Sequence, residues 1–270
     1  MKPEQEAFIK MSIIDKMPDQ IKLPYALWSR KAIRDLIKRE YGITLAQNTV
    51  GGYLKKWGFT PQKPKKQAYE RSNLAVKKWL DEQFPAVSIR AKEENAEIHW
   101  GDETGIRNDN SHGRSYALAG KTPVRRHLSK RLSFNMISTI TNQGKVRFMT
   151  YSENLSSKVL IEFLKRLIRD SDKKVFLILD NLRVHHSKKV KEWIAENKNE
   201  IEIFYLPSYS PDLNPDEYLN CDLKCGLSNK TAPKTKNELK KNVNAHMRLI
   251  QRNPARVISY FKHESIKYAA

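Results

Sequence analysis

A run without a single polar position, Val175-Phe176-Leu177-Ile178-Leu179, closed by Asp180, constrains this chain most. It reads as a buried strand, and the segments around it alternate between the two regular periodicities. Residues 97–102 read as a strand ending on Asp102. Residues 132–141 alternate, placing Leu132, Phe134, Met136, Ser138 and Ile140 on one face. Asn142-Gln143-Gly144 supplies a turn, and residues 145–151 return as the partner strand. Ser156 or Ser157 caps a helix striped with Val159, Leu160, Phe163, Leu164, Leu167 and Ile168. After Asp180 come a helix over 188–196 and a strand over 201–206. Strand, hairpin, helix, strand, helix, strand is an α/β order with a mixed sheet.

Three carboxylates sit at the joints of this order. Asp102 and Asp180 close strands. Glu217 stands in Pro207-Ser208-Tyr209-Ser210-Pro211-Asp212-Leu213-Asn214-Pro215-Asp216-Glu217, where loop turns into helix. Taken singly, each has a structural reading. Asn214 as cap, Pro215 at the first helical position and Glu217 two further on form a capping-box pattern. Asp102 fits a turn with Glu103, and Asp180 a strand end. Together they are how a fold gathers negative charge for divalent ions, which suits phosphodiester chemistry. Asp216 and Glu103 are the neighbours most easily confused with the assigned acids.

The net charge of +20 is unevenly placed. Residues 1–80 carry 17 Lys/Arg against 7 Asp/Glu, and residues 224–270 carry 11 against 2, leaving 22 against 21 between them. Basic ends around a neutral centre fit a protein that grips phosphates at its ends and does chemistry in the middle. No apolar run is long enough to span a bilayer, and the N-terminus lacks a signal-peptide core, so a cytoplasmic, nucleoid-associated location is expected. Cys221 and Cys225, the only cysteines, read as small buried residues on one helix face.

Near the N-terminus, Ile33, Leu36, Ile37 and Tyr41 mark a helix starting after Ser29 and stopping at Gly42. Thr44 with Gln47 offers a capping box for a second helix carrying Val50, Tyr53, Leu54 and Trp57, closed by Gly58. The pair is either a helix-turn-helix or a plain helical hairpin. As a DNA reader it would present Gln47, Asn48, Gly51, Lys55 and Lys56, with amides suited to adenine edges and lysines to phosphates. Lys63, Lys65 and Lys66 fall in a Pro-containing basic stretch, which reads as a groove-tracking linker or a solvated spacer. Residues 68–95 look helical and read as a bridge. The domains expected are 1–60 (helix-turn-helix), 61–95 (linker and bridge), 96–224 (catalytic) and 225–270 (basic, helical). In the last, Leu239, Val243, Met247 and Ile250 share one face, leaving either a DNA-contacting or a solvated helix.

The strand order matches the ribonuclease H-like arrangement, in which the first and fourth strands are neighbours and Asp102 and Asp180 end side by side. More specifically, Trp100-Gly101-Asp102-Glu103-Thr104-Gly105, Leu179-Asp180-Asn181 with His185-His186, and the block from Leu206 to Glu217 resemble the three signature blocks of bacterial insertion-sequence transposases of the mariner-like DDE superfamily. The 36 residues between Asp180 and Glu217 are close to that superfamily's usual separation. The resemblance implies an α/β, ribonuclease H-like catalytic domain preceded by an all-α (winged) helix-turn-helix domain. It also implies two Mg²⁺ ions, replaceable by Mn²⁺, held by Asp102, Asp180 and Glu217. Its further implications are double-stranded DNA as partner (terminal inverted repeats and target DNA), insertion at TA dinucleotides, and a homodimer on DNA.

Asn181, Arg183, His185 and His186 are expected to support the site, the two histidines alternatively capping the next helix. Such relatives commonly carry two helix-turn-helix units, and only about 24 residues precede the one here. Residues 1–20, with Phe8, Ile9, Ile13 and Ile14, therefore read as the stub of a missing unit in a split or decayed frame. Two other classes stay open. A transposase-derived DNA-binding regulator would not need the acidic triad, and a ribonuclease H-type nuclease would not need the helix-turn-helix.

Overall fold

The computed structural model describes residues 1–64, 67–109, 116–122, 124 and 128–270. The chain divides into two compact units, Met1–Lys66 and Gln67–Ala270.

The first unit is three helices around a small core. Helix α1 (Pro3–Asp15) buries Ile9 completely against Ile33, Leu36 and Ile37 of α2 (Arg30–Tyr41) and Val50 of α3 (Gln47–Lys56). Residues 3–15 are thus an integral helix of this unit. Helix α2 starts where anticipated: the Ser29 hydroxyl accepts from the Ala32 amide, and Gly42 ends the helix at φ +67°. That left-handed cap is open to glycine without steric cost. The Thr44 capping box does not form. Ile43 and Leu45 pack into the core, which keeps the chain extended until Ala46, and α3 begins there with no side-chain cap.

The second unit is built on one five-stranded sheet of order β3-β2-β1-β4-β5. Its strands are β1 (Glu97–Arg107), β2 (Ser133–Ile140), β3 (Val146–Tyr151), β4 (Val175–Leu179) and β5 (Ile201–Tyr205). The first three form an antiparallel meander, while β1–β4 and β4–β5 pair in parallel. Every residue of β4 is buried. Val175, Leu177 and Leu179 join a core with α6 (Ser157–Arg169) and Val190 of α7 (Lys188–Glu196), whereas Phe176 and Ile178 belong to clusters on the opposite face. An apolar residue at every position is what a strand covered on both faces requires.

Helical residues 73–93 pack Trp79, Phe84, Val87 and Ala91 into the sheet's second face. They run as α4 (Asn73–Lys78), a π turn (Trp79–Gln83) and α5 (Phe84–Glu93). Pro85 accounts for the widened turn, because it has no amide to donate and its ring crowds the carbonyl four residues back. Helices α8 (Asp216–Ser228), α9 (Lys236–Gln251) and α10 (Pro254–Tyr260) complete that face.

Leu239, Val243, Met247 and Ile250 of α9 are all buried. At roughly 1.5–3 kcal/mol for each such side chain, this apolar stripe fixes α9 to the sheet's second face. Asp222 of α8 ties the layer together: it accepts from Arg256 Nε (2.6 Å) and the Tyr260 hydroxyl (2.6 Å), and pairs with His246 Nε2 (3.0 Å). The two cysteines are exposed, contrary to expectation. The buried face of α8 carries Asp216, Leu219, Asn220, Leu223 and Leu227, and positions 221 and 225 lie off it.

Candidate active site

Strand β1 is longer than the sequence pattern suggests, and Asp102 lies within it. Its parallel pairing with β4 stops at Trp100↔Ile178, while its antiparallel pairing with β2 continues to Arg107↔Ser133. Asp102 therefore stands one step beyond the point where β4 ends and a cleft opens. Asp180 follows the last residue of β4, so the parallel register brings the two acids to the same edge. Gly101 keeps this junction close: a Cβ there would lie 2.8 Å from Leu179 Cδ2.

The third acid arrives through Asn214. Its amide donates to the Gly101 carbonyl (2.9 Å), and its side-chain oxygen accepts from the Asp216 amide (3.1 Å). One side chain thus pins the start of α8 to β1 and turns the first helical residues toward the sheet edge. Glu217 does not act as the reciprocal cap of a capping box. It is exposed and faces the cleft, since Pro215 takes the cap position and the helix begins at Asp216.

Asp102, Asp180 and Glu217 line one cavity of about 610 Å³, together with Asn181, Arg183, Asn214 and the loop from Leu206 to Pro211. In that loop Tyr209 holds φ +57°, a backbone state that costs a bulky residue about 1–3 kcal/mol. A larger groove of about 1090 Å³ along α6 includes Tyr151, Lys158, Lys165 and Lys188 but none of these three acids.

The two neighbours are placed elsewhere. Asp216 is fully buried and accepts from Ser138 Oγ at 2.7 Å. Burial first, and Asp102 second, hold its carboxyl well above the usual range. Glu103 alternates to the other face of β1, as strand geometry demands. There it accepts from His185 Nε2 at 2.8 Å. His185 Nδ1 in turn lies 3.0 Å from the Asp180 carbonyl and 3.3 Å from Asp180 Oδ1.

His185 is completely buried, which favours its neutral form, yet the bonds to Asp180 and Glu103 outweigh burial and raise its pKa to about 10. Ligand atoms of Glu103, Asp180 and His185 lie within 4.8 Å of one another. Both imidazole nitrogens are already engaged, so His185 serves the two acids as a hydrogen-bond partner placed between them.

Burial is also the largest influence on the other acids. It pushes Asp102 well above the carboxylate range, reinforced by Glu217 and Glu103. It raises Glu217, opposed by Lys224 and aided by Asp180. For Asp180 it is outweighed by His185 and the Leu182 amide, so that acid is held low.

Among the supporting residues, Asn181 and Arg183 line the cavity, whereas His185 stands behind Asp180. Asn181 donates to the Leu206 carbonyl and pairs with His186, whose ring packs on Tyr205 with centroids 4.2 Å apart. Neither histidine caps α7, which follows Ser187 without a side-chain cap.

Residue-level reading missed Asn220 and Ser138, which contact Asp102 and Asp216 respectively. Helical spacing offered one hint, since Asn220 follows Asp216 by four residues.

In the first unit, Gln47, Asn48, Lys55 and Lys63 are exposed. Gly51 is partly covered, with Arg30 Cζ 3.0 Å from where a Cβ would be, and Lys56 is paired with Glu6 at 3.1 Å. These two are therefore less free than expected. Lys65 and Lys66 lie outside the described residues.

A family model described as DDE superfamily endonuclease matches residues 97–240, just over half of the chain, and spans all three acids. The chain belongs to the DDE superfamily endonucleases. A winged helix-turn helix model matches residues 24–83 of this DDE protein.

Among solved structures, a strand transfer complex of Mos1 matches all of the chain and 80% of its own, with 16% identity and TM-score 0.64. A Mos1 mariner paired-end complex with Mn matches all of the chain and 79% of its own, with 16% identity and TM-score 0.65. At such identities the likeness is one of fold: an N-terminal helix-turn-helix followed by a ribonuclease H-like mixed sheet. No curated protein matches the DDE chain.

Proposed function

We propose that this DDE endonuclease is a transposase that binds the terminal inverted repeats of its element, cuts DNA strands and joins them to target DNA. The observation that carries this reading is the convergence of Asp102, Asp180 and Glu217 on one open cavity, with their look-alike neighbours turned into the protein. Three carboxylates offering only oxygen, two of them on exposed residues, form a donor set that fits hard divalent cations such as Mg²⁺ or Mn²⁺. Asp102, Asp180 and Glu217 would hold them, two ions in all. Bound there, they supply Lewis-acid assistance to in-line displacement at phosphorus.

The chain's own residues do the rest. The Leu182 amide and His185 fix the Asp180 carboxylate from behind, and Asn181 holds the loop that follows β5. Arg183, exposed on the cavity wall, is placed to pair with a scissile phosphate. Residues 1–64 read DNA through Gln47, Asn48, Lys55 and Lys63. Mos1 is solved as a paired-end complex with its left transposon end, which supports paired transposon ends as the DNA partner, and on that reading the chain acts as a homodimer.

The test is Mg²⁺- or Mn²⁺-dependent cleavage of a duplex carrying the native element's terminal repeat, with Glu217→Gln alongside. The expected result is cleavage at the repeat end by the unmodified chain only. Sequence-specific binding without any cleavage would replace this reading with a transposase-derived DNA-binding protein.

A further inference from the structure

Asn220 is the one polar residue on the buried face of α8 whose side chain reaches a cavity acid. It is 1% exposed, set among Leu219, Leu223 and Leu227, and its Nδ2 donates to Asp102 Oδ2 at 2.9 Å. Its own oxygen, Oδ1, is buried and has no partner among the described residues. The amide orientation suits the ionised Asp102 that a metal site requires, since the reverse would set an oxygen against a carboxylate. An orphaned buried acceptor is destabilising. A leucine would avoid that cost at a position flanked by leucines. The bond to Asp102 is what the asparagine offers in return.

Asp102 needs such a bond. It shares the cleft with Glu217 and Asp180, and a carboxylate's last torsion is soft. Without Asn220, only the Glu103 amide among the described residues would be left to hold it. Asn220 sits on the same helix as Glu217, so α8 sets the third acid and the orientation of the first together.

We propose that Asn220 is a positioning residue that holds Asp102 by Oδ2 and leaves Oδ1 as the single oxygen it presents to a divalent cation. This rests on the assignment of Asp102, Asp180 and Glu217 as the metal-holding acids. A partner one bond away from a metal ligand typically governs metal affinity by about 10–100-fold.

The experiment is Mn²⁺ binding by the full chain, followed by electron paramagnetic resonance of free Mn²⁺, with thermal unfolding recorded on the same samples. Asn220→Leu matches the surrounding side chains and removes only the polar contact. It is expected to weaken Mn²⁺ binding about 10–100-fold at an unchanged or higher Tm, a combination that a purely structural role would not give. Asn220→Ala, which cannot overpack, is measured beside it in case the leucine does not fit. Asp102→Asn and Glu217→Gln test the underlying assignment. If both abolish binding while Asn220→Leu and Asn220→Ala bind within twofold of the unmodified chain, the role of Asn220 is overturned and the site stands. If neither acid variant changes binding, the site assignment fails, and the positioning role with it.

Discussion

Asp216 and Glu217 are adjacent acids, and the structure assigns them opposite behaviour on substitution. Asp216 is buried, its carboxyl held well above the usual range by burial and by Asp102, and it receives the Ser138 hydroxyl. Asp216→Asn keeps an acceptor for Ser138 and adds no charge, so stability should change by less than about 1 kcal/mol. Asp216→Ala leaves Ser138, itself fully buried, without its acceptor, at a cost of about 1–3 kcal/mol. In a domain of roughly 200 residues that lowers Tm by about 2–12 °C. Glu217→Gln changes an exposed residue and should leave Tm unmoved.

Activity should divide the other way. Losing a direct metal ligand should exceed the roughly 100-fold upper end seen for partners one bond removed, whereas Asp216→Asn should retain cleavage within about tenfold. Calorimetry and Mg²⁺-dependent strand cleavage on the same preparations decide the matter. If Asp216→Asn abolishes cleavage at normal Tm while Glu217→Gln retains it, the assignment of the third acid is wrong.

Asp102→Asn and Asp180→Asn should each abolish cleavage while leaving duplex binding intact in a mobility-shift assay, because the exposed DNA-reading candidates lie in residues 1–64. Asp222→Ala strips the acceptor shared by Arg256, Tyr260 and His246, and should destabilise the second unit by about 1–3 kcal/mol in denaturant unfolding. Gly226→Ala should cost about 1–3 kcal/mol by overpacking, since its Cβ would fall 2.1 Å from His246 Cε1. Glu97 gives a pH signature. Burial raises its pKa, but bonds from His99 and Lys145 outweigh this and bring it from 4.5 to about 2. A depressed folded-state pKa adds stability above the ordinary value that is lost as pH falls through about 2, here up to about 3 kcal/mol. Glu97→Gln should therefore flatten the decline in Tm between roughly pH 5 and 2, and an undiminished slope would refute the pairing.

Local pattern alone was enough for much of this protein. An unbroken apolar run specified β4, Ser29 and the Ser156-Ser157 pair marked helix starts, and Gly42 marked a stop, because each depends on a few adjacent residues. The grouping of Asp102, Asp180 and Glu217 was legible from their spacing and motifs. Other features needed partners distant in sequence. Strand β1 runs past Asp102 only because β2 pairs with it to Arg107, and Thr44 is no cap because Ile43 and Leu45 are drawn into a core. The cysteines lie outside the core because Leu219, Leu223 and Leu227 decide which side of α8 is buried. That residues 3–15 belong to the first unit's core shows only once Ile9 is seen packed on α2, and the roles of His185 and Asn220 rest on contacts with Glu103 and Asp102. Sequence determined which chemistry is possible here. Tertiary packing decided which of two adjacent acids meets the cavity, because burial and hydrogen bonding act between residues that only folding brings together.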